Sequence, residues 1–232
     1  MQRDKLLTAP CCGENRKKLL HNNMTFQPDT IILGGGDYPS HPIPMQMLKE
    51  AERVICCDGA AESYILNEGR TPWRIVGDGD SLPEKFYQRF KDIIHRIPEQ
   101  DTNDQTKATR YAMSHGAKRI AYLGATGRRE DHTLGNVSLL MDYLRMGLEV
   151  RMYTDHGIFI PVHDYIQMDC LPETQVSIFN FGAQGLHAEG LRYPLSDFTS
   201  WWQGTLNACV CNGFSVKGLG DFLIYTTYKQ KL

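Results

Sequence analysis

WRIVGDGDS, residues 73–81, decides how this chain is read. Its first half is an apolar, strand-like run, and its second half carries Asp78 and Asp80 two positions apart. While the backbone stays extended, both carboxylates leave the same face at the carboxyl end of the strand. Open α/β sheets bind their ligands at that edge. Two later segments repeat the arrangement: EQDTNDQTK (99–107) follows DIIHRIPE, and GATGRREDH (124–132) follows KRIAYL. Magnesium takes one or two carboxylates plus phosphate oxygens rather than a full protein cage, so sparse aspartates beside Lys107, Arg128 and Arg129 point to magnesium and polyphosphate.

Working outward, the runs TIILGGG, RVICCDGAA, WRIVGDGDS, DIIHRIPE and KRIAYLGAT alternate with amphipathic segments from Asp29 to about Val150. That order predicts βαβ units and a mainly parallel, Rossmann-like sheet covered by helices on both faces. Ser81 and Glu84 form an S-x-x-E capping box that predicts a helix through Phe86 and Phe90. Asp101 is expected to cap a second helix, with Asp104 in its first turn, Ala108, Tyr111 and Ala112 facing inward, and Gly116 as its stop. A third is expected from about Asp131, burying Leu134, Val137, Leu140, Met141 and Leu144 before Gly147. Its amino end follows ATGRRE and presents free backbone N–H groups to an anion.

Beyond Arg151 the pattern becomes short alternating runs, VRMYT, QVSIFNF, ACVC, FSVKG and DFLIYTT, broken by Gly-containing turns. This predicts antiparallel β structure, with Asn212-Gly213 as a type I′ hairpin turn between ACVC and FSV. The fold class is therefore α/β followed by β, divided into a polyphosphate and magnesium domain over residues 29–153 and a β domain over 154–232. Residues 1–28 lack the continuous apolar segment of a signal peptide, and Met24 precedes the first strand. They read as an appendage or a misassigned start, which a terminal mass measurement on natively expressed protein distinguishes.

With 232 residues and 41% hydrophobic content, the chain is long enough to bury ordinary cores. A net charge of -2 and a pI near 6.4 offer no general attraction to nucleic acid, and no segment is long enough to cross a membrane. The seven cysteines include two adjacent pairs and no CxxC, which argues against a disulfide framework or a zinc site. Cys56 and Cys57 read as buried apolar side chains, and the whole fits a reduced, cytoplasmic setting.

Each motif has a plainer reading. GGGDYP (34–39) lacks the GxGxxG spacing and is either a phosphate-cradling turn or a tight loop. Asp58, ending the second strand, serves as a helix cap or a ligand contact. Asp101 and Asp104 alone would be dipole compensation at a helix start. Lys107, one turn on, changes that balance, because its ammonium meets phosphate where the carboxylates meet metal. Arg128, Arg129 and Asp131 could form a solvated loop, yet two guanidiniums at a helix start suit polyphosphate. His132 reads as a polar packing residue. Tyr193, Trp201 and Trp202 fill a β core or stack on a flat cationic acceptor.

Taken in order, VGDGDSL, PEQDTNDQTKA, LGATGRREDHTLGN, YPLSDF and QGTLN resemble the thiamine pyrophosphokinase family over most of Ile31 to Tyr225. The resemblance implies a nucleotide-binding α/β domain, a carboxyl-terminal β-sandwich, and a homodimer with thiamine sites between subunits. It implies transfer of the β,γ-diphosphate of ATP to the hydroxyethyl oxygen of thiamine, giving thiamine diphosphate and AMP. On this sequence, Asp78, Asp80 and Asp104 match the metal-binding acids, and Gln100, Asp101, Lys107, Arg129 and Asp131 match ATP-binding and catalytic positions, with Arg128 and Asp58 as further ATP candidates. Tyr193, Thr205 and Asn207 match the thiamine side. Arg128 stands where a second Gly is usual, Gly79 where a bulky residue is, and Leu206 where a Ser is, the last removing a hydroxyl from the expected acceptor pocket.

Phosphoryl-type transfer asks mainly for alignment and charge neutralisation, with Asp101 or Asp131 available to orient or deprotonate the alcohol. The rivals are a magnesium-dependent pyrophospho- or nucleotidyltransferase on another small alcohol, and a non-catalytic nucleotide or thiamine diphosphate sensor.

Overall fold

Short, wholly apolar strands form the first half of the sheet. The computed structural model describes residues 26–80 and 82–230. Strands β1 (Thr30–Leu33), β2 (Val54–Cys57), β3 (Arg74–Gly77), β4 (Ile94–Arg96), β5 (Arg119–Leu123) and β6 (Glu149–Tyr153) run parallel in the order β4-β3-β2-β1-β5-β6. Helices cover both faces, so alternate residues of one strand enter different cores. Ile32, Cys57, Val76 and Tyr122 pack with Ala108 and Ala112 of α4 (Asp104–Ser114) and with Leu140 and Met141 of α5 (Glu130–Arg145). Ile31, Leu33, Cys56 and Ile75 pack with Leu48 of α1 (Pro42–Glu50) and with Ala61 and Tyr64 of α2 (Ala60–Glu68). Cys56 and Cys57 are buried on opposite faces, and burial pushes both thiols upward.

The chain lays down strands in one direction from β1 to β4, then returns to the other side of β1 with β5 and β6. Every carboxyl end of these strands therefore lies on one edge, with the reversal between β1 and β5. Beyond β6 the sheet turns antiparallel through β7 (Gly157–Asp169), β11 (Gly213–Gln230), β8 (Thr174–Asn180) and β10 (Asn207–Ala208). β9 (Gln184–Glu189) pairs with the first part of β11, and β8 pairs with its second part. Their inward residues, among them Val176, Ile178, Phe214, Val216 and Phe222, form a third core. The fold is a parallel α/β unit followed by an antiparallel β-sandwich, in line with the class expected from the sequence.

Several local expectations change. α3 spans Glu84–Phe90 with Pro83 at its amino cap; the expected cap, Ser81, lies outside the described residues, as do residues 1–25. Asn103, not Asp101, caps α4, accepting from the Thr106 N–H at 3.0 Å. Leu134 is 57% exposed, although Leu140 and Met141 are buried as expected. VRMYT is parallel to β5 on one side and antiparallel to β7 on the other, so it is the strand at which the parallel half passes into the antiparallel one. No hairpin joins ACVC to FSV: Gly213 pairs with Asp169, and β10 pairs with β8. FSVKG and DFLIYTT are one strand bent between Lys217 and Asp221, where Gly220 has φ +115°. Cys170 and Cys209 are joined as a disulfide, which the spacing did not suggest. Among the described residues, no helix is long and apolar enough to cross a membrane.

Candidate active site

Asp58 follows β2, Asp78 follows β3, Gln100 follows β4, and Asp104 and Lys107 occupy the first turn of α4. Parallel topology alone brings the first three to a common edge. Close packing completes the approach: a Cβ on Gly77 would meet the Asp58 Cβ at 2.9 Å and its Cγ at 3.0 Å, so glycine lets the buried Asp58 lie against β3. Asp58 also has positive φ, +42°.

Asp78 accepts from the Asp80 N–H at 3.1 Å and from Gln100 Nε2 at 3.1 Å. Those two bonds, the first above all, hold its carboxyl below the usual range, with further help from Lys107 and a hydrogen bond with Asp58. Asp104 moves the other way. Its burial and the neighbouring Asp78 charge raise it, against the pull of Lys107, whose Nζ lies 3.5 Å from Oδ1. Lys107 itself is only 2% exposed. A desolvated ammonium is costly without opposite charge nearby, which makes the carboxylates its counter-ions and fixes it at this edge. Its helix is anchored on either side by Thr106 Oγ1 to Tyr143 Oη and Thr109 Oγ1 to Tyr122 Oη, both 2.8 Å.

The other expected members stand outside this cluster. Asp80 is ion-paired with Arg96 at 3.3 Å. Asp101 lies before the helix, where its backbone N–H donates to Glu99. Arg129 and Asp131 pair with each other at 2.6 Å and are exposed at the amino end of α5, with Arg128 beside them at φ +58°. The Arg129 hydrogen bond lowers the Asp131 carboxyl. Asn136 of α5 ties these segments together: its Oδ1 accepts from Asn103 at 2.9 Å, and its Nδ2 donates to the Ala125 carbonyl at 2.8 Å. Asn103, Asn136 and Arg96 are thus members of this edge that pattern reading overlooked. The motif TLGN contains Asn136, but nothing in its spacing reveals a brace; Arg96 is signalled only by closing a strand.

GGGDYP is a tight loop. The N–H groups of Gly34, Gly36 and Asp37 donate to the carbonyls of Leu123, Gly124 and Thr126 at 2.8, 2.7 and 2.9 Å, leaving them unavailable to a phosphate. A Cβ on Gly36 would stand 2.2 Å from the Thr126 carbonyl oxygen. Beside this interlock, at the sheet's reversal, a cleft of about 170 Å³ is lined by Asp37, Thr126, Gly127, Thr154 and His156.

Among the described residues no three or more His, Cys, Asp or Glu side chains stand together in a form that could hold a metal. The donor chemistry nevertheless fits magnesium: Asp78 after β3 and Asp104 at the start of α4 offer hard carboxylate oxygens at the same strand-end edge, and the ion needs no more from protein when phosphates and water complete its shell.

In the antiparallel half, Asn207 Oδ1 accepts from the Tyr193 N–H at 3.0 Å, and its Nδ2 donates to the Tyr193 carbonyl at 2.8 Å. Thr205 Oγ1 donates to the Trp202 carbonyl at 2.7 Å. Tyr193, Thr205 and Asn207 therefore form one ledge, with Leu206 at φ +62° projecting from it, 73% exposed. Trp201 is only partly a packing residue: it lies edge-on to Phe179 and tilted on Phe181.

Two family models match successive parts of the chain. Residues 44–152 match the family model for the thiamin pyrophosphokinase catalytic domain, and residues 157–225 match that for the thiamin pyrophosphokinase substrate-binding domain. Thiamine pyrophosphokinase of Bacillus subtilis (strain 168) is 26% identical over 157 residues, covering 64% of this chain and 72% of the relative. The crystal structure of the Bacillus subtilis enzyme superimposes with a TM-score of 0.70 at 21% identity, covering 88% of this chain and 99% of that one. Yeast thiamin pyrophosphokinase gives 0.70 at 17% identity, covering 98% and 94%. The Candida albicans thiamin pyrophosphokinase gives 0.67 at 17%, covering 87% and 90%. With the catalytic-domain match holding the strand-end carboxylates and the substrate-binding match holding the ledge, the chain belongs to the thiamin pyrophosphokinase family.

Proposed function

We propose that this protein transfers the diphosphate of ATP to thiamine, yielding thiamine diphosphate and AMP. The observation that carries the reading is the buried Lys107 beside Asp78 and Asp104, at the sheet edge where ligands bind. Residues 29–153 serve ATP and magnesium, and residues 154–232 serve thiamine. Asp78, Asp80 and Asp104 would hold magnesium, which neutralises and orients the triphosphate when bound. Lys107 and Arg129 neutralise phosphate oxygens, and Gln100, Arg128 and Asp58 line the ATP side.

The thiamine hydroxyl attacks the β-phosphorus, the bond from that phosphorus to the α-bridging oxygen breaks, and AMP leaves. Asp131, lowered by its hydrogen bond from Arg129, suits orienting the alcohol, and Asp101 is the other candidate to accept the proton. Tyr193, Thr205 and Asn207 supply the acceptor side. The exposure of Tyr193 and Trp202, 58% and 75%, supports a homodimer in which a second copy helps enclose thiamine. The proposed setting is cytoplasmic; the Cys170–Cys209 bond weighs against it, and a thiol count on protein from reduced cells decides.

Purified protein given ATP, magnesium and thiamine should form AMP and thiamine diphosphate in equal amounts. Turnover only with another alcohol from a panel favours the related transferase, for which Leu206 is the specific reason. Nucleotide binding without any AMP favours the sensor.

A further inference from the structure

The geometry points to Arg96 as a counter-charge that holds Asp80 until metal and nucleotide arrive, and then passes to the incoming phosphate. This rests on the reading of Asp80 as a metal ligand. Arg96 closes β4 and is in register with Gly77 of β3, so its side chain emerges on the edge that carries the carboxylates. It lies across Gly79, which turns at φ +81°, and it makes two contacts with the loop: Nε donates to the Asp78 carbonyl, and Nη2 pairs with Asp80 Oδ1 at 3.3 Å. The backbone contact fixes the guanidinium beside the loop, whichever anion its remaining donors serve.

The Asp80 pair is open to solvent, with side chains 56% and 72% exposed. An exposed ion pair contributes little to the fold and is easily exchanged. Asp80 Oδ1 is held by Arg96, so a cation that takes this oxygen displaces the guanidinium. The released guanidinium is then next to the phosphates, for which its planar, multi-donor head is better suited than for a single carboxylate oxygen. The device favours the metal–nucleotide complex over metal alone: without nucleotide Arg96 competes with the cation, and with nucleotide it joins the binding.

The test compares wild type with Arg96→Gln and Arg96→Lys, measuring Mn²⁺ binding to nucleotide-free enzyme by electron paramagnetic resonance and ATP binding in saturating Mn²⁺ by calorimetry. Arg96→Gln should bind free Mn²⁺ about two- to fivefold more tightly, the size of an exposed ion pair removed. It should bind ATP about tenfold more weakly, the loss of one charge-assisted bond. Arg96→Lys should recover part of the ATP affinity and restore the Mn²⁺ competition. Unchanged Mn²⁺ affinity in Arg96→Gln overturns the proposal, and so does unchanged ATP affinity; a merely structural role would shift the melting temperature and leave Mn²⁺ binding alone. If wild type forms no AMP with thiamine, the transferase reading falls, while both binding measurements still decide the role of Arg96.

Discussion

Lys107, in the strand-end cluster of the parallel half, is 2% exposed, whereas Tyr193 and Trp202, on the ledge of the antiparallel half, are 58% and 75% exposed. The first region buries its cation within one chain; the second leaves its aromatic rings open. The difference follows from what each must hold. A desolvated charge needs its counter-charges built in, or folding is penalised, so Asp78, Asp104 and Lys107 have to be assembled together by β3 and α4. An aromatic face tolerates solvent and gains only when something flat or apolar covers it. The sharpest contrast should therefore appear in variants of equal size placed on either side.

Asp78→Asn keeps volume and removes one charge from beside the buried cation. Turnover should fall by at least about a hundredfold, in keeping with loss of a preorganised electrostatic group, with the melting temperature nearly unchanged. Retained turnover would remove Asp78 from the chemistry and leave the cluster a folding device. Gly77→Ala probes the same region through packing. Its Cβ must displace Asp58, since 2.9 Å to a carbon is too close, and the expected cost is about 1–3 kcal/mol. Thermal unfolding that matches wild type would show that Asp58 moves aside freely.

How much of each region was legible beforehand follows the same line. The strand-end aspartates could be read from WRIVGDGDS because an apolar run followed by spaced acids fixes both the strand and its edge. The pairing of Asp80 with Arg96 could not, since those residues are sixteen apart and meet only through the β3–β4 register. Asp101 fits a cap by pattern because any early acid suits a helix start; Asn103 holds the position instead, leaving Asp101 outside the helix. In the antiparallel half, Asn212-Gly213 obeyed the local hairpin rule, yet long-range pairing of Gly213 with Asp169 prevailed. Local sequence reports local geometry, and β11, which bends to serve β7, β8 and β9, is assembled by distant contacts.

On the open side, Tyr193→Ala should leave the fold intact, because Asn207 grips the Tyr193 backbone and not its ring. If the ring stacks on the acceptor, KM for thiamine rises about tenfold while KM for ATP changes little. Equal rises in both constants would break the contrast, making the ledge part of the nucleotide site.

The smallest effect lies at the seam between the two regions. Arg145 of α5 reaches Asp221 of β11 at 2.7 Å, and His163 of β7 meets the other Asp221 oxygen at 2.7 Å. Burial resists ionisation of Asp221, but the His163 and Arg145 hydrogen bonds outweigh it and keep its pKa below the ordinary range. The same Asp221 bond, followed by the Asp164 charge, raises His163 above its ordinary 6.5. A histidine raised in the folded state contributes stability fully below its unfolded value and loses it as pH rises through the folded one. Asp221 has the opposite sign, and its contribution fades only in acid, below the ordinary 3.8. Across neutral pH the histidine alone should therefore be visible. The melting-temperature difference between wild type and His163→Gln should favour wild type at a pH near 6.5 and shrink as pH is raised above it. A difference that stays constant with pH would mean His163 joins the two regions by contact rather than by charge, and the seam would then be as insensitive to protons as the ledge it borders.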